Sequence, residues 1–219
     1  MASSAHPLSY TAFAGFITDY KLPLLAVSVG SLCMLLMESP TSPLPFSQHW
    51  NSLSIYFAIP LITLAILKQR PSTWAINFRG WQHWLRPCAL YLAIALPLIM
   101  LGNINAGMKD YYHTAPGHWP SYIATTAIYL LGWEYFFRGF LISSLRKHFR
   151  EGAIVIQMIP FTLLHLGKPD IEVASCIISG IVWGYICYHA RSFWPAFFMH
   201  LIVNIFNALW ISGVFVVIA

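Results

Sequence analysis

Of the seven acidic residues in the chain, Asp19, Glu38, Asp110, Glu151, Asp170 and Glu172 fall in loops or at the ends of apolar stretches, and Glu134 alone lies well inside one. Of nine histidines only His165 and His200 are comparably deep, and Asn204 and Asn207 are the deep amides. An ionisable side chain in the middle of a bilayer costs about 2.5–3.5 kcal/mol on insertion scales, so each such residue needs a reason. At about 1.5 Å per helical residue, Glu134 stands roughly 18 Å from Arg146, His165 roughly 22 Å from Arg150, and His200 and Asn204 roughly 14 and 20 Å from Arg191. Three apolar segments therefore bring their deep polar groups to about the same layer. His200 and Asn204 are four residues apart and share a helix face, as do Glu134 and Arg138. A carboxylate beside two neutral imidazoles and an amide can activate water: the carboxylate accepts the proton while the others polarise a carbonyl and hold the oxyanion. Two other readings stay open. Glu134 can simply pair with Arg138 while the histidines make interhelical hydrogen bonds. Two histidines and a glutamate are also a catalytic zinc set, but HExxH is absent and no acidic second shell is evident, which favours a mechanism without a cofactor, with zinc as the alternative.

The elements that must position these residues follow from composition. The chain has 219 residues, 58% hydrophobic and 16% aromatic, with 12 Lys and Arg, 7 Asp and Glu, and only 9% charged. A soluble domain needs about a quarter of its residues charged. The class is therefore an all-α, polytopic integral membrane helix bundle, and disorder, nucleic-acid binding and disulfide-rich secretion are excluded. Seven transmembrane helices are expected, at Leu22 to Met37, Leu53 to Leu67, Pro87 to Leu101, Tyr122 to Leu145, Gly152 to Leu166, Glu172 to Tyr188 and Phe193 to Ile218. They form a single transmembrane domain over 1–219, with the motif region at 120–210. No internal repeat is visible, which argues against a transporter of duplicated halves.

Basic residues give the orientation. Lys21, then Lys68, Arg70, Arg79 and Arg86, then Arg146, Lys147 and Arg150, then Arg191 group on one side, against Lys109 and Lys168 on the other. The first side is expected to be cytoplasmic, with the N-terminus inside, the loop of Lys109 and His113 outside, and the lipid bilayer as the permanent partner. The N-terminal segment lacks the basic region of a signal peptide and is expected to stay as an anchor. The loop STWAINFRGWQHWLRP, rich in Trp74, Phe78, Trp81 and Trp84, reads as an in-plane anchor at the headgroup level, with a lateral gate as the second reading. Cys33, Cys88, Cys176 and Cys187 sit in apolar stretches without CxxC spacing and read as small core residues.

Three segments also carry a family resemblance. WEYFFRGFL at 133–141, FTLLH at 161–165 and HLIVN at 200–204 resemble, in order and separation, the EExxxR, FxxxH and HxxxN motifs of the CAAX-protease and bacteriocin-processing (CPBP, or Abi) intramembrane proteases. GKPDIE at 167–172 is similar to a segment common in bacterial members. The resemblance implies an intramembrane endopeptidase, acting on a membrane-embedded or lipid-linked protein or peptide, in which Glu134 with His165 activates water and His200 with Asn204 stabilises the oxyanion. It makes Arg138 the structural partner of the glutamate and Phe161 a packing residue, and it points to a bacterial cytoplasmic membrane. Trp133 occupies the position of the first motif glutamate, and adjacent helix positions point about 100° apart. The alternative is accordingly an inactive pseudoprotease serving as a membrane immunity or scaffold protein.

Overall fold

In a bilayer every backbone N–H and C=O must find its partner within the protein, so uninterrupted apolar stretches have little choice but helix. The computed structural model describes residues 10–39, 47–112 and 116–213, and among these it is helical with no strand. The helices are α1 (Tyr10–Asp19), α2 (Lys21–Glu38), α3 (Gln48–Ile66), α4 (Trp81–Gly102), α5 (Ala106–Tyr111), α6 (119–149), α7 (Gly152–Leu163), α8 (Asp170–Ala190) and α9 (Trp194–Ile211). Five of them, α2, α3, α4, α8 and α9, are long and apolar enough to cross a membrane. The other two expected spans are α6, which carries buried charge, and α7, which at 12 residues is about 18 Å long. The end of the last expected span, up to Ile218, and the position of His113 lie outside the described residues.

Helix α4 begins six residues before the expected start at Pro87. That proline, like Pro97, sits inside the helix. Proline removes one ladder hydrogen bond and is tolerated in membrane helices when neighbours compensate, so it is a poor boundary marker here. The aromatic loop consequently divides. Trp81 and Trp84 belong to the first turn of α4, while residues 75–78 are stitched to the α8–α9 turn. Phe193 N–H donates to the Ala75 carbonyl (3.0 Å), Ser192 Oγ to the Asn77 carbonyl (2.7 Å), Asn77 Nδ2 to the Arg191 carbonyl (2.7 Å) and Trp194 Nε1 to the Ile76 carbonyl (3.1 Å).

At the centre runs α6, in which every residue from Gly132 to Ile142 is buried. It reaches that position by close approach to α3. A Cβ at Gly132 would lie 2.3 Å from the Ser52 carbonyl oxygen, so only glycine fits, and Ser52 Oγ donates to the Tyr129 carbonyl across the gap (2.7 Å). Small residues likewise bring α7 and α8 together: Gln157 Nε2, from α7, donates to the Gly180 carbonyl at 2.8 Å. Tyr135–Leu141 of α6 is π-helical, as is Leu53–Ala58 of α3. Such wider turns re-aim the side chains that follow them and recur at functional sites.

The ends of the bundle sort the basic residues as their order along the chain suggests. The 75–78 segment meets Arg191, Arg146 lies over the Tyr188 ring (4.0 Å), and Tyr20 packs on His148 (4.9 Å). At the opposite end Lys168 Nζ donates to Glu172 Oε1 and Tyr112 to Glu172 Oε2, each at 2.7 Å. Single cysteines at 79 and 109, both exposed positions, in a chain with its own cysteines replaced, should differ in labelling by an impermeant maleimide on intact cells. Position 109 is expected to label and position 79 only after lysis. The reverse pattern would invert the orientation.

Candidate active site

The deep polar residues converge, but not in the pairing expected. Glu134, at the end of the α-helical part of α6, is fully buried, and so is Arg138 one turn on. Arg138 Nη1 lies 3.1 Å from Glu134 Oε2 as an ion pair without an aligned hydrogen bond. The guanidinium lies over the face of Phe161 at 3.9 Å, with Trp183 at 5.5 Å, so aromatic faces supply part of the counter-charge. Phe161 thus does more than fill space, because it is the ring that caps the cation.

The other carboxylate oxygen, Glu134 Oε1, accepts a hydrogen bond from His200 Nδ1 at 2.5 Å. The sequence pointed to Glu134 acting with His165; the structure pairs it with His200. His165 is instead backed by Trp133, whose ring stands edge-on to the imidazole at 5.7 Å. Its Nδ1–H donates to the Phe161 carbonyl at 2.7 Å. Positions 133 and 134 diverge by about 100°, so one faces His165 and the other His200. Trp133 is itself buried among Tyr56, Tyr129, Phe137 and Phe161. It does not line the cavity itself and packs beside it, against His165.

The two contacts fix the tautomers. A ring nitrogen that hydrogen-bonds a carbonyl or carboxylate oxygen must carry the proton, so in the neutral rings Nε2 of both His165 and His200 bears a lone pair. Both imidazoles line one cavity of about 1240 Å³ between α4, α8 and α9, with the end of α7 closing one side. Asn204 lines it too, with one amide hydrogen committed to the His200 carbonyl (3.0 Å). Asn207, also facing the cavity, accepts from Asn103 Nδ2 at 2.7 Å. The lining is otherwise largely apolar, and Glu134 sits behind His200 rather than in the wall.

Trp183 and Tyr91 were not singled out from the sequence. Trp183 packs on His200 with ring centroids 5.0 Å apart, and Tyr91 meets Trp183 edge-on at 5.7 Å. Each is one aromatic residue in an apolar stretch and carries no local signal. As for metal, no group of three or more His, Cys, Asp or Glu side chains among the described residues is arranged to hold an ion. The two Nε2 lone pairs are a potential ligand pair, and the nearest carboxylate is already shared between Arg138 and His200.

Residues 115–206, less than half of the chain, match the family model of the type II CAAX prenyl endopeptidase Rce1-like proteins. The match spans all three motifs, so the resemblance to the CAAX-type intramembrane proteases is borne out over the region that holds Glu134, His165, His200 and Asn204. A CAAX-type protease is the kind of function this family supports, in a membrane-embedded setting with a protein substrate. No curated protein and no solved structure matches the chain.

Removing one member of a buried ion pair leaves an uncompensated charge, typically at a loss of about 3–5 kcal/mol. Glu134→Ala should therefore destabilise the protein by about that amount in reversible denaturant unfolding in micelles, while Glu134→Ala combined with Arg138→Met should recover most of it. A single variant as stable as the parent would deny the pair any structural role.

Proposed function

We propose that this protein is an intramembrane endopeptidase that hydrolyses a peptide bond of a membrane-embedded or lipid-linked protein or peptide without a metal cofactor. The observation that carries this reading is that the histidines of the second and third motifs line one cavity, each with its Nδ1 committed to an oxygen acceptor, and one is backed by a buried carboxylate. A water between two acceptor nitrogens directs its hydrogens at them and leaves its oxygen lone pair free to attack a carbonyl carbon. His200 takes the water proton, because the resulting imidazolium is stabilised by Glu134, which acts as a positioning residue through His200 rather than as the base itself. His165 holds the water. The free amide hydrogen of Asn204 is available to the oxyanion, and His200 returns the proton to the leaving amine as the carbon–nitrogen bond breaks. The apolar lining suits a lipid-linked or transmembrane substrate. The protein is proposed to reside in a bacterial cytoplasmic membrane with its N-terminus inside.

One observation favours the second reading, a pseudoprotease that binds such a segment without cutting it. Trp133 fills the space behind His165 where the family motif has a carboxylate, so only one of the two imidazoles has an anion behind it.

Glu134→Gln keeps an acceptor for His200 but removes the charge, and should lower kcat by at least about 10²-fold with KM within about twofold, measured on a quenched peptide bearing a prenylated cysteine in liposomes. Retained kcat would remove Glu134 from the mechanism. In the same preparation, activity should survive exhaustive chelation; inactivation reversed by zinc would favour the metal alternative. Trp133→Glu decides between enzyme and pseudoenzyme: an inert parent and an active variant would establish the second reading.

A further inference from the structure

The cavity that holds His165 and His200 is longer than a hydrolytic site needs. Its α4 wall runs from Arg79 and His83 to Leu101, and the helical rise from His83 to Leu101 is about 27 Å, close to the thickness of the hydrocarbon layer. Leu90, Ile94 and Leu98 of α4 and Ile178 and Tyr185 of α8 line it and are at the same time 55–66% exposed. The cavity is therefore a groove, open along its length to the surrounding lipid.

Its two ends are chemically unlike. At one end Lys168 and Tyr112 both donate to Glu172, the only carboxylate in the wall among the described residues, so charge there is matched. At the other end stand Arg79, His83 and His189, none of which has a carboxylate partner among the described residues. The fold assembles them. The hydrogen bonds Asn77–Arg191 and Phe193–Ala75 fasten the chain just before α4 to the turn just after α8, which brings Arg79 and His83 to the side of His189. The left-handed turn at Gly80 (φ +72°) folds the His83 ring back beside it, and His189 stacks on Tyr185 at 4.4 Å. The bias of basic residues to one side of a membrane accounts for cations at this end of the bundle. It does not account for three of them rimming an apolar groove without a counter-charge.

We propose that, in the absence of substrate, the groove holds a phospholipid with an anionic headgroup, its phosphate at Arg79, His83 and His189 and an acyl chain between α4 and α8. A guanidinium donates pairwise to phosphate oxygens, and an imidazole offers an N–H donor in either protonation state. The apolar stripe gives hydrocarbon contact that a free inorganic anion could not use. Trp183, which packs on His200, precedes His189 by six residues, about 9 Å of helix. An acyl chain entering at the cationic mouth thus passes His200, and a peptide reaches that imidazole only by displacing the lipid. No bond is made or broken.

The test uses the full-length protein in phosphatidylcholine nanodiscs that contain a minor fraction of phosphatidylglycerol with a diazirine in its acyl chain, in parallel with the matching phosphatidylcholine probe. After irradiation, peptide mass spectrometry should place adducts on the groove residues of α4 and α8, at least about fivefold more from the phosphatidylglycerol probe. Native mass spectrometry should retain one phosphatidylglycerol per chain. Arg79→Gln should lower the groove adduct by about fivefold, and adding His83→Gln should lower it further. Both positions are exposed, so thermal unfolding should be unchanged. Arg86→Gln removes an exposed cation of the same helix that does not line the groove, and should change the adduct by less than about twofold. Equal labelling by the two lipids would reduce the preference to apolar contact, and equal losses in the Arg79 and Arg86 variants would assign it to the general field of the basic end; either result overturns the site. A copurifying peptide or a second copy of the chain seated in the groove in place of lipid would overturn it as well. None of these readouts requires peptide hydrolysis, so this assignment and the protease reading fail separately.

Discussion

The buried pair of Glu134 and Arg138 is the constraint around which the rest of the bundle is organised. Two charges removed from water recover their solvation loss only if the geometry is close and other polar or polarisable groups surround them. The bundle meets this with a ring of aromatics, Phe161 on the cation and Phe137 and Trp183 beside it, and with the imidazole of His200 on the anion. That requires α6 to be enclosed on all sides, and α6 can be enclosed only because Gly132 lets Ser52 of α3 touch its backbone while small residues bring α7 and α8 together. Packing and charge are thus one problem. Enlarging Gly132 would push away the helix that keeps Glu134 dry.

The same pair makes the two histidines unequal. Successive positions of α6 stand behind successive imidazoles, Trp133 behind His165 and Glu134 behind His200. In the EExxxR pattern both of those positions are carboxylates, and here only one of them is. An imidazolium beside an indole edge gains little, whereas one beside a carboxylate is strongly stabilised, so in the proposed mechanism proton uptake is placed on His200. The motif suggested Glu134 acting with His165, and the contact the structure contains is with His200. His165 is held without any charge partner, its Nδ1–H tied to the Phe161 carbonyl and its other nitrogen left as an acceptor.

What could be read from the sequence was what depends on composition and on rise along a helix. The spans, the common layer of Glu134, His165, His200 and Asn204, and the sorting of Lys and Arg to two ends needed only hydropathy and 1.5 Å per residue. What could not be read depends on rotation and on neighbours far away in the chain. Which imidazole Glu134 meets turns on the angle between α6 and its partners. Pro87 suggested a helix start because proline usually marks one, but α4 runs through it. The depth of Asn204 was legible, but not that its Nδ2 turns back on its own helix to the His200 carbonyl. Tyr91 and Trp183 could not be found at all, since an aromatic residue in an apolar stretch looks the same whether it faces lipid, core or substrate.

Helix α4 forms one wall of the cavity while burying little of itself. Only Trp84 and Cys88 of its 22 residues are buried. It is held at one end by the packing of Trp84 on Phe78 and Phe198, and just beyond its other end by the hydrogen bond from Asn103 to Asn207. Between these anchors Leu90, Ile94 and Leu98 are exposed and also line the cavity, and Pro97 removes a rung of the hydrogen-bond ladder. Between its end anchors the wall is held by the packing of Tyr91 on Trp183. The contrast is with α6, whose buried charges require it to be enclosed on every side, whereas α4 encloses only the cavity and leaves most of its own surface open.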